Sequence, residues 1–215
     1  YLDPEDPRRW WEGWEEKAAA LNGQDRALAI VGGSLFGFAR DWMGVEAFSI
    51  LPYTDPVLYE DILEHMTDFF IGIYGPIVER VSFDFIYFFE DCCFNHGPLI
   101  SPDIFDRYYK KHYRRLTDFY RSKGADKILL DSDGNVELLI PHWLDAGIDI
   151  VFPIEVGTWR ADPVELRRKF GRDLRMMGGV DKHIIPQGEA VIRAALERAG
   201  IDGPWRIETV THAYS

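Results

Sequence analysis

Four short apolar runs in this chain each end in acidic or amide side chains, and each is followed by a helical pattern. Asp84-Phe85-Ile86-Tyr87-Phe88-Phe89 leads into Glu90-Asp91, and Lys127-Ile128-Leu129-Leu130 into Asp131-Ser132-Asp133-Gly134-Asn135. Ile148-Asp149-Ile150-Val151-Phe152 leads into Pro153-Ile154-Glu155, and Leu174-Arg175-Met176-Met177 into Gly178-Gly179-Val180-Asp181-Lys182. Alternating strand and helix argues for a parallel sheet covered by helices. In a barrel of parallel strands the C-terminal strand ends share one mouth. Asp131, Asp133, Glu155 and Asp181 are therefore expected to converge as catalytic groups. Glu90, Asp91, Asn135, Lys182 and His183 are expected beside them as substrate-binding groups. Ionised carboxylates repel at short range and cost free energy to desolvate, so such a mouth holds a cation, a polar substrate or a proton to be moved. The bland alternative is four unrelated solvated turns, because Asp and Asn also cap helices.

Six candidate strands fall near 27–31, 84–89, 127–131, 149–153, 173–177 and 207–211. Helices are expected over 8–21, 35–43, 56–80, 136–146, 162–170 and 187–199. A further helix, with a break, is expected from Ser101-Pro102 to Ser122, where Ser101 is a natural N-cap and Pro102 a natural first residue. A closed eight-stranded barrel needs about 250 residues, and this chain has 215. Two architectures stay open: a barrel lacking about two βα units, or an open doubly wound sheet. One domain is expected over residues 1–215. It is expected to be incomplete at its N-terminus, because the chain opens on Tyr1.

The net charge of −12 and pI near 4.9 argue against nucleic acid and anionic membrane as partners. No apolar run approaches the ~18 residues of a membrane span, and no signal-peptide pattern is visible near Tyr1. Cys92 and Cys93 are adjacent and cannot form an ordinary disulfide staple. A reducing cytoplasm is the expected location. The crowded aromatic residues suggest a partner surface, and a homodimer is one expectation.

Lesser motifs have two readings each. Cys92 and His96, four apart, would face one metal if their segment were helical; otherwise they are a structural cysteine and a loop histidine. His183 is an acid or base near neutral pH, or a capping side chain. His142 reads as structural. Gly32-Gly33-Ser34-Leu35-Phe36-Gly37 fits no phosphate-loop spacing and reads as a tight βα turn. Tyr108, Tyr109, His112 and Tyr113 read as a buried helix face. Lys110, Lys111, Arg114 and Arg115 form a basic stripe, either solvated or docked on an acidic partner.

One ordered set of segments carries a family resemblance: Ser34-Leu35-Phe36-Gly37, Met43-Gly44-Val45-Glu46, Glu90-Asp91, Gly97-Pro98-Leu99-Ile100-Ser101-Pro102, Asp131-Ser132-Asp133-Gly134-Asn135, Pro153-Ile154-Glu155 and Gly178-Gly179-Val180-Asp181-Lys182. Over roughly residues 27–199 the chain resembles the uroporphyrinogen decarboxylase superfamily, and more closely its branch of corrinoid-dependent methyltransferases. The resemblance implies a (β/α)8 TIM-barrel-type fold, incomplete in this chain, with the site at the C-terminal mouth. It also implies a corrinoid carried on a partner protein, with a divalent metal as the other cofactor expectation. Two departures matter. Thiol-activating members carry a zinc-binding His-x-Cys pair where this chain has Asp131-Ser132-Asp133, which gives no support for thiolate-held zinc there. The decarboxylases carry an N-terminal Arg-rich motif that is missing here, and an acidic mouth repels a polyanionic porphyrinogen. Methyl transfer involving a corrinoid-bound methyl group is the leading expectation. Decarboxylation of uroporphyrinogen or a related tetrapyrrole, and a non-catalytic corrinoid- or ligand-binding barrel, are the alternatives.

Overall fold

In the computed structural model, which describes residues 3–198, the apolar runs become one parallel sheet flanked by helices. The chain begins with a 3₁₀ turn at Pro7–Arg9, helix α1 (Trp14–Ala19) and a second 3₁₀ turn at Ala20–Gly23. The single helix expected over 8–21 is therefore broken. Gly13 sits at φ 75°, in the left-handed region, and ends any continuous helix before α1. Trp10 stacks on Trp14 across that break.

Strand β1 (Ala29–Gly33) is followed by α2 (Gly37–Met43), α3 (Val45–Thr54) and α4 (Pro56–Val78). The sequence patterns did not anticipate α3. Asp55 caps α4 by accepting from the Leu58 N–H, with Pro56 at the first position. Then come β2 (Phe85–Phe89) and a small hairpin, β3 (Cys93–Phe94) with β4 (Gly97–Pro98). Ser101 caps α5 (Pro102–Ile104) as expected, accepting from the Ile104 N–H. The break falls at Phe105–Tyr109, which are π-helical, before α6 (Lys110–Ser122). Strand β5 (Ile128–Asp131), α7 (Ile140–Asp145), β6 (Ile150–Ile154), α8 (Val156–Trp159), α9 (Pro163–Phe170) and β7 (Arg175–Gly178) follow. A 3₁₀ turn at Lys182–Gln187 leads into α10 (Glu189–Arg198). The candidate strand at 207–211 lies outside the described residues.

Strand order decides between the two open architectures. The sheet runs β1-β2-β5-β6-β7, all parallel and in chain order. A doubly wound sheet reverses its order at a switch point; a barrel does not. This is an incomplete TIM-barrel-type fold. Two carboxylates tie the strand starts: Asp84 accepts from the Leu28 N–H and Asp149 from the Ile128 N–H, each at 2.7 Å.

One sheet face, carrying Ile86, Phe88, Ile128, Leu130 and Val151, is buried in the core. Phe88 meets Tyr113 and Tyr120 of α6 edge-on, and Tyr108, Tyr109, His112 and Tyr113 form the buried helix face that the spacing predicts. The opposite, inner face carries Val31, Tyr87, Leu129, Phe152 and Met177. Together with Ala29, Ile30 and Phe85 they line an apolar cleft of about 320 Å³. No described helix is long and apolar enough to cross a membrane.

Candidate active site

The register places the acidic groups. Phe89 of β2 pairs with Asp131, and Asp131 pairs with Phe152 of β6, so Asp131 lies at the C-terminal rim beside the apolar cleft. Backbone bonds brace the rim. The Glu90 and Asp91 N–H groups both donate to the Asp131 carbonyl, and the Ser132 N–H donates to the Phe152 carbonyl. Buried Ser132 accepts from the Cys92 N–H, joining two loops.

Asp133 and Glu155 line one cleft of about 180 Å³ with Pro153, Gly157, Thr158 and Lys182. Glu155 is only 6% exposed. It accepts from the Gly134 N–H at 2.7 Å and the Thr158 hydroxyl at 3.0 Å, and it pairs with the Lys182 ammonium. Burial alone would raise its carboxyl, but these three donors outweigh burial and hold it below the ordinary value. Asp133 goes the other way. Burial raises its carboxyl and the Glu155 and Asp91 charges add to the effect, against a lowering by Lys182. Asp131 is also raised, first by burial and then by Asp133 and Asp91, although the Tyr87 hydroxyl donates to it and lowers it. Lys182 is held above the ordinary lysine value, mainly by its bond to Glu155. The cleft thus contains one firmly ionised carboxylate, paired with an ammonium, next to one that more readily takes up a proton.

Gly134 is required by this geometry. Its φ is +85°, and a Cβ there would come within 2.6–2.7 Å of Phe94 backbone atoms. Gly134→Ala is expected to cost at least about 2 kcal/mol, from the left-handed conformation and the clash combined. That is a fall of roughly 4–8 °C in melting temperature for a chain of this size, measurable by circular dichroism.

The remaining site candidates lie elsewhere. Glu90 is 1% exposed and turned into the β1–α2 junction. It accepts from the N–H groups of Leu35, Phe36 and Gly37 and from the Ser34 and Tyr113 hydroxyls. Burial raises its carboxyl, against those donors. Asp91, at φ 45°, is held by Arg40, which donates to its carbonyl at 2.7 Å and reaches its carboxylate at 3.4 Å. Asn135 accepts from the Glu137 N–H and lines a different cleft with Trp159, Arg160 and Lys169. Asp181 caps the Lys182–Gln187 turn, accepting from the His183 N–H at 2.9 Å and meeting the His183 ring at 2.8 Å. His183 itself is exposed, and in this pair Asp181 is the capping side chain.

The Cys92–His96 metal reading fails on geometry. The segment is a hairpin rather than a helix, with Cys92 buried and His96 exposed. His142 meets Asp106, in keeping with a structural role. The basic stripe is paired within the chain: Lys110 and Arg114 to Asp145, Lys111 to Glu60, and Arg115 to Glu64 and Asp68. Sequence reasoning missed Tyr87, Thr158 and Arg40. Strand alternation offered one clue, since Tyr87 shares its face with Phe85 and Phe89, opposite buried Ile86 and Phe88.

Comparison with known proteins adds family and fold. The family model Uroporphyrinogen decarboxylase (URO-D) matches residues 22–204. No curated protein matches the chain. Among solved structures, a methyltransferase from Methanosarcina mazei superposes with a TM-score of 0.58 at 20% identity, over 76% of this chain and 47% of that one. The chain therefore spans about half the length of that structure, and at this identity the likeness is one of fold.

Proposed function

This chain belongs to the uroporphyrinogen decarboxylase family, and from that premise we propose that it takes part in methyl transfer involving a corrinoid-bound methyl group, with a small-molecule acceptor and a corrinoid-carrying partner protein. The observation that supports this reading is the pair of carboxylates in one cleft whose surroundings push them apart: Asp133 upward, Glu155 downward. Such a split separates a proton-accepting group from a permanently charged one. Asp133 is the base that takes the acceptor's proton. Glu155, fixed by the Gly134 N–H and Thr158, holds the Lys182 ammonium over the cleft, where it orients an electron-rich acceptor. Asp131 and Tyr87 form a second hydrogen-bonding point at the edge of the apolar floor.

The side chains present suit a corrinoid better than a porphyrinogen. A corrin ring carries neutral carboxamides whose N–H groups an acidic rim accepts, whereas a uroporphyrinogen presents carboxylates that the same rim repels. When docked, the corrinoid supplies an electrophilic methyl group. The chain's own residues align the acceptor, remove its proton and keep an apolar surface against the ring.

The test incubates the protein with methylcobalamin and a panel of thiol, amine and phenol acceptors, following loss of the methyl group spectroscopically. A parallel reaction with uroporphyrinogen follows carbon dioxide. Acceptor-dependent demethylation is the expected result. Carbon dioxide release without demethylation overturns the proposal in favour of the decarboxylase. Tight cobamide binding with neither reaction makes the chain a non-catalytic corrinoid-binding barrel.

A further inference from the structure

Among the described residues, the buried side chains of Ser49, Tyr108, His112 and Trp159 carry polar atoms with no hydrogen-bond partner, and His112 alone has carboxylates facing both of its ring nitrogens. His112 of α6 is 0% exposed, and neither of its ring nitrogens is hydrogen-bonded. Buried polar atoms are nearly always satisfied, so an orphan imidazole calls for an explanation. Two carboxylates of α4 face it: Glu60 Oε1 lies 3.5 Å from Nε2, and Glu64 Oε2 lies 3.7 Å from Nδ1. Both distances exceed a good N–H···O bond, and a neutral ring has only one N–H to give.

Neutral imidazole is the form that ligates metals. Glu60 and Glu64 are four residues apart on one helix, so they open onto the same gap. One donor atom from each of Glu60, Glu64 and His112 lies within 4.8 Å of the other two. One imidazole with two carboxylates is a donor set that suits zinc.

We propose that Glu60, Glu64 and His112 bind a Zn²⁺ ion that clasps α4 to α6 on the outer helix layer, away from the mouth. Tetrahedral zinc bonds of about 2.0–2.2 Å place ligand atoms about 3.4 Å apart, so the present triangle closes slightly on binding. The carboxylates are free to do so. Their current partners, Lys111 and Arg115, are long side chains, 55% and 41% exposed, that can return to water. Zinc thus competes with two surface ion pairs of small individual worth, and a water completes the coordination.

The test uses the whole chain, stripped with a chelator and titrated with Zn²⁺ alone by calorimetry, with Co²⁺ as the spectroscopic probe. One ion per chain is expected, with a tetrahedral Co²⁺ spectrum. Glu60→Gln and Glu64→Gln are expected to weaken binding about tenfold or more each, the scale on which lost metal-site groups act. Asp133→Asn at the mouth is expected to leave binding unchanged. Both glutamine variants alter side chains that reach solvent, and far-ultraviolet circular dichroism verifies that they stay folded. No binding at millimolar Zn²⁺, undiminished binding in the Glu60→Gln/Glu64→Gln double variant, or loss confined to Asp133→Asn would each overturn the site.

Discussion

Glu90→Ala is expected to lower the melting temperature by on the order of 10 °C, a loss of about 3–5 kcal/mol for stripping the acceptor from several buried hydrogen-bond donors at once. The carboxylate accepts from three successive N–H groups at the start of α2 and from the Ser34 and Tyr113 hydroxyls. Alanine leaves those donors buried and unsatisfied, each at its full desolvation cost. Glu90→Gln keeps the shape but turns an NH₂ towards N–H donors, so it falls between. The pH dependence separates the charge from the shape. Burial raises the folded-state pKa of Glu90 above the unfolded value. The folded protein then binds more protons than the unfolded chain between those two values, so the glutamate's contribution declines as pH rises through that window. Glutamine does not titrate. The wild-type advantage over Glu90→Gln therefore shrinks as pH climbs out of the ordinary carboxylate range, as thermal melts across pH would show.

The layer order was legible because it is set by local patterns. The runs at 84–89, 127–131 and 149–153 are apolar enough to be strands, and Ser101-Pro102 signals a helix start that the structure uses. The choice between barrel and doubly wound sheet was legible through the family resemblance and not through local patterns, because it depends on which strands pair, a long-range property. The N-terminal segment misled. Trp10, Trp11 and Trp14 have helical spacing, yet Gly13 in the left-handed region divides them. Helix α3 was missed because Pro52 and the Gly44 flank look like loop signals.

At the mouth, sequence position identified which residues stand at strand ends but not which way each carboxylate points. Asp133 and Glu155 share a cleft. Glu90 and Asp181 carry the same chemistry at equivalent-looking positions but spend it on backbone N–H groups. A carboxylate beside a helix start can be a ligand or a cap, and only the path of the next few residues decides. A partner such as Arg40 reaches Asp91 from a helix far away in sequence, so no spacing rule reveals it.

Asp133→Asn is expected to slow methyl transfer about 100-fold or more, the typical worth of a positioned acid–base group, while leaving the melting temperature nearly unchanged, because the residue stands at the solvent-exposed lip of the cleft, where only its carboxyl is partly desolvated. The pH profile carries the stronger test. Asp133 acts as base only when ionised, and burial and Glu155 raise its pKa above the ordinary aspartate value. The rate in wild type therefore falls as pH drops through that raised value, with the acid limb displaced towards neutral, and Asp133→Asn loses the limb along with the rate. Lys182→Ala supplies the control that a purely structural role would not satisfy. Lys182 lowers both Asp133 and Glu155. Removing it raises both carboxyls and moves the acid limb further upward, with the base still in place. Measured kcat/KM against pH in the three proteins distinguishes these cases. An unshifted limb in Lys182→Ala, or a limb that survives in Asp133→Asn, would assign the proton to another group, with Asp131 and its Tyr87 partner next in line.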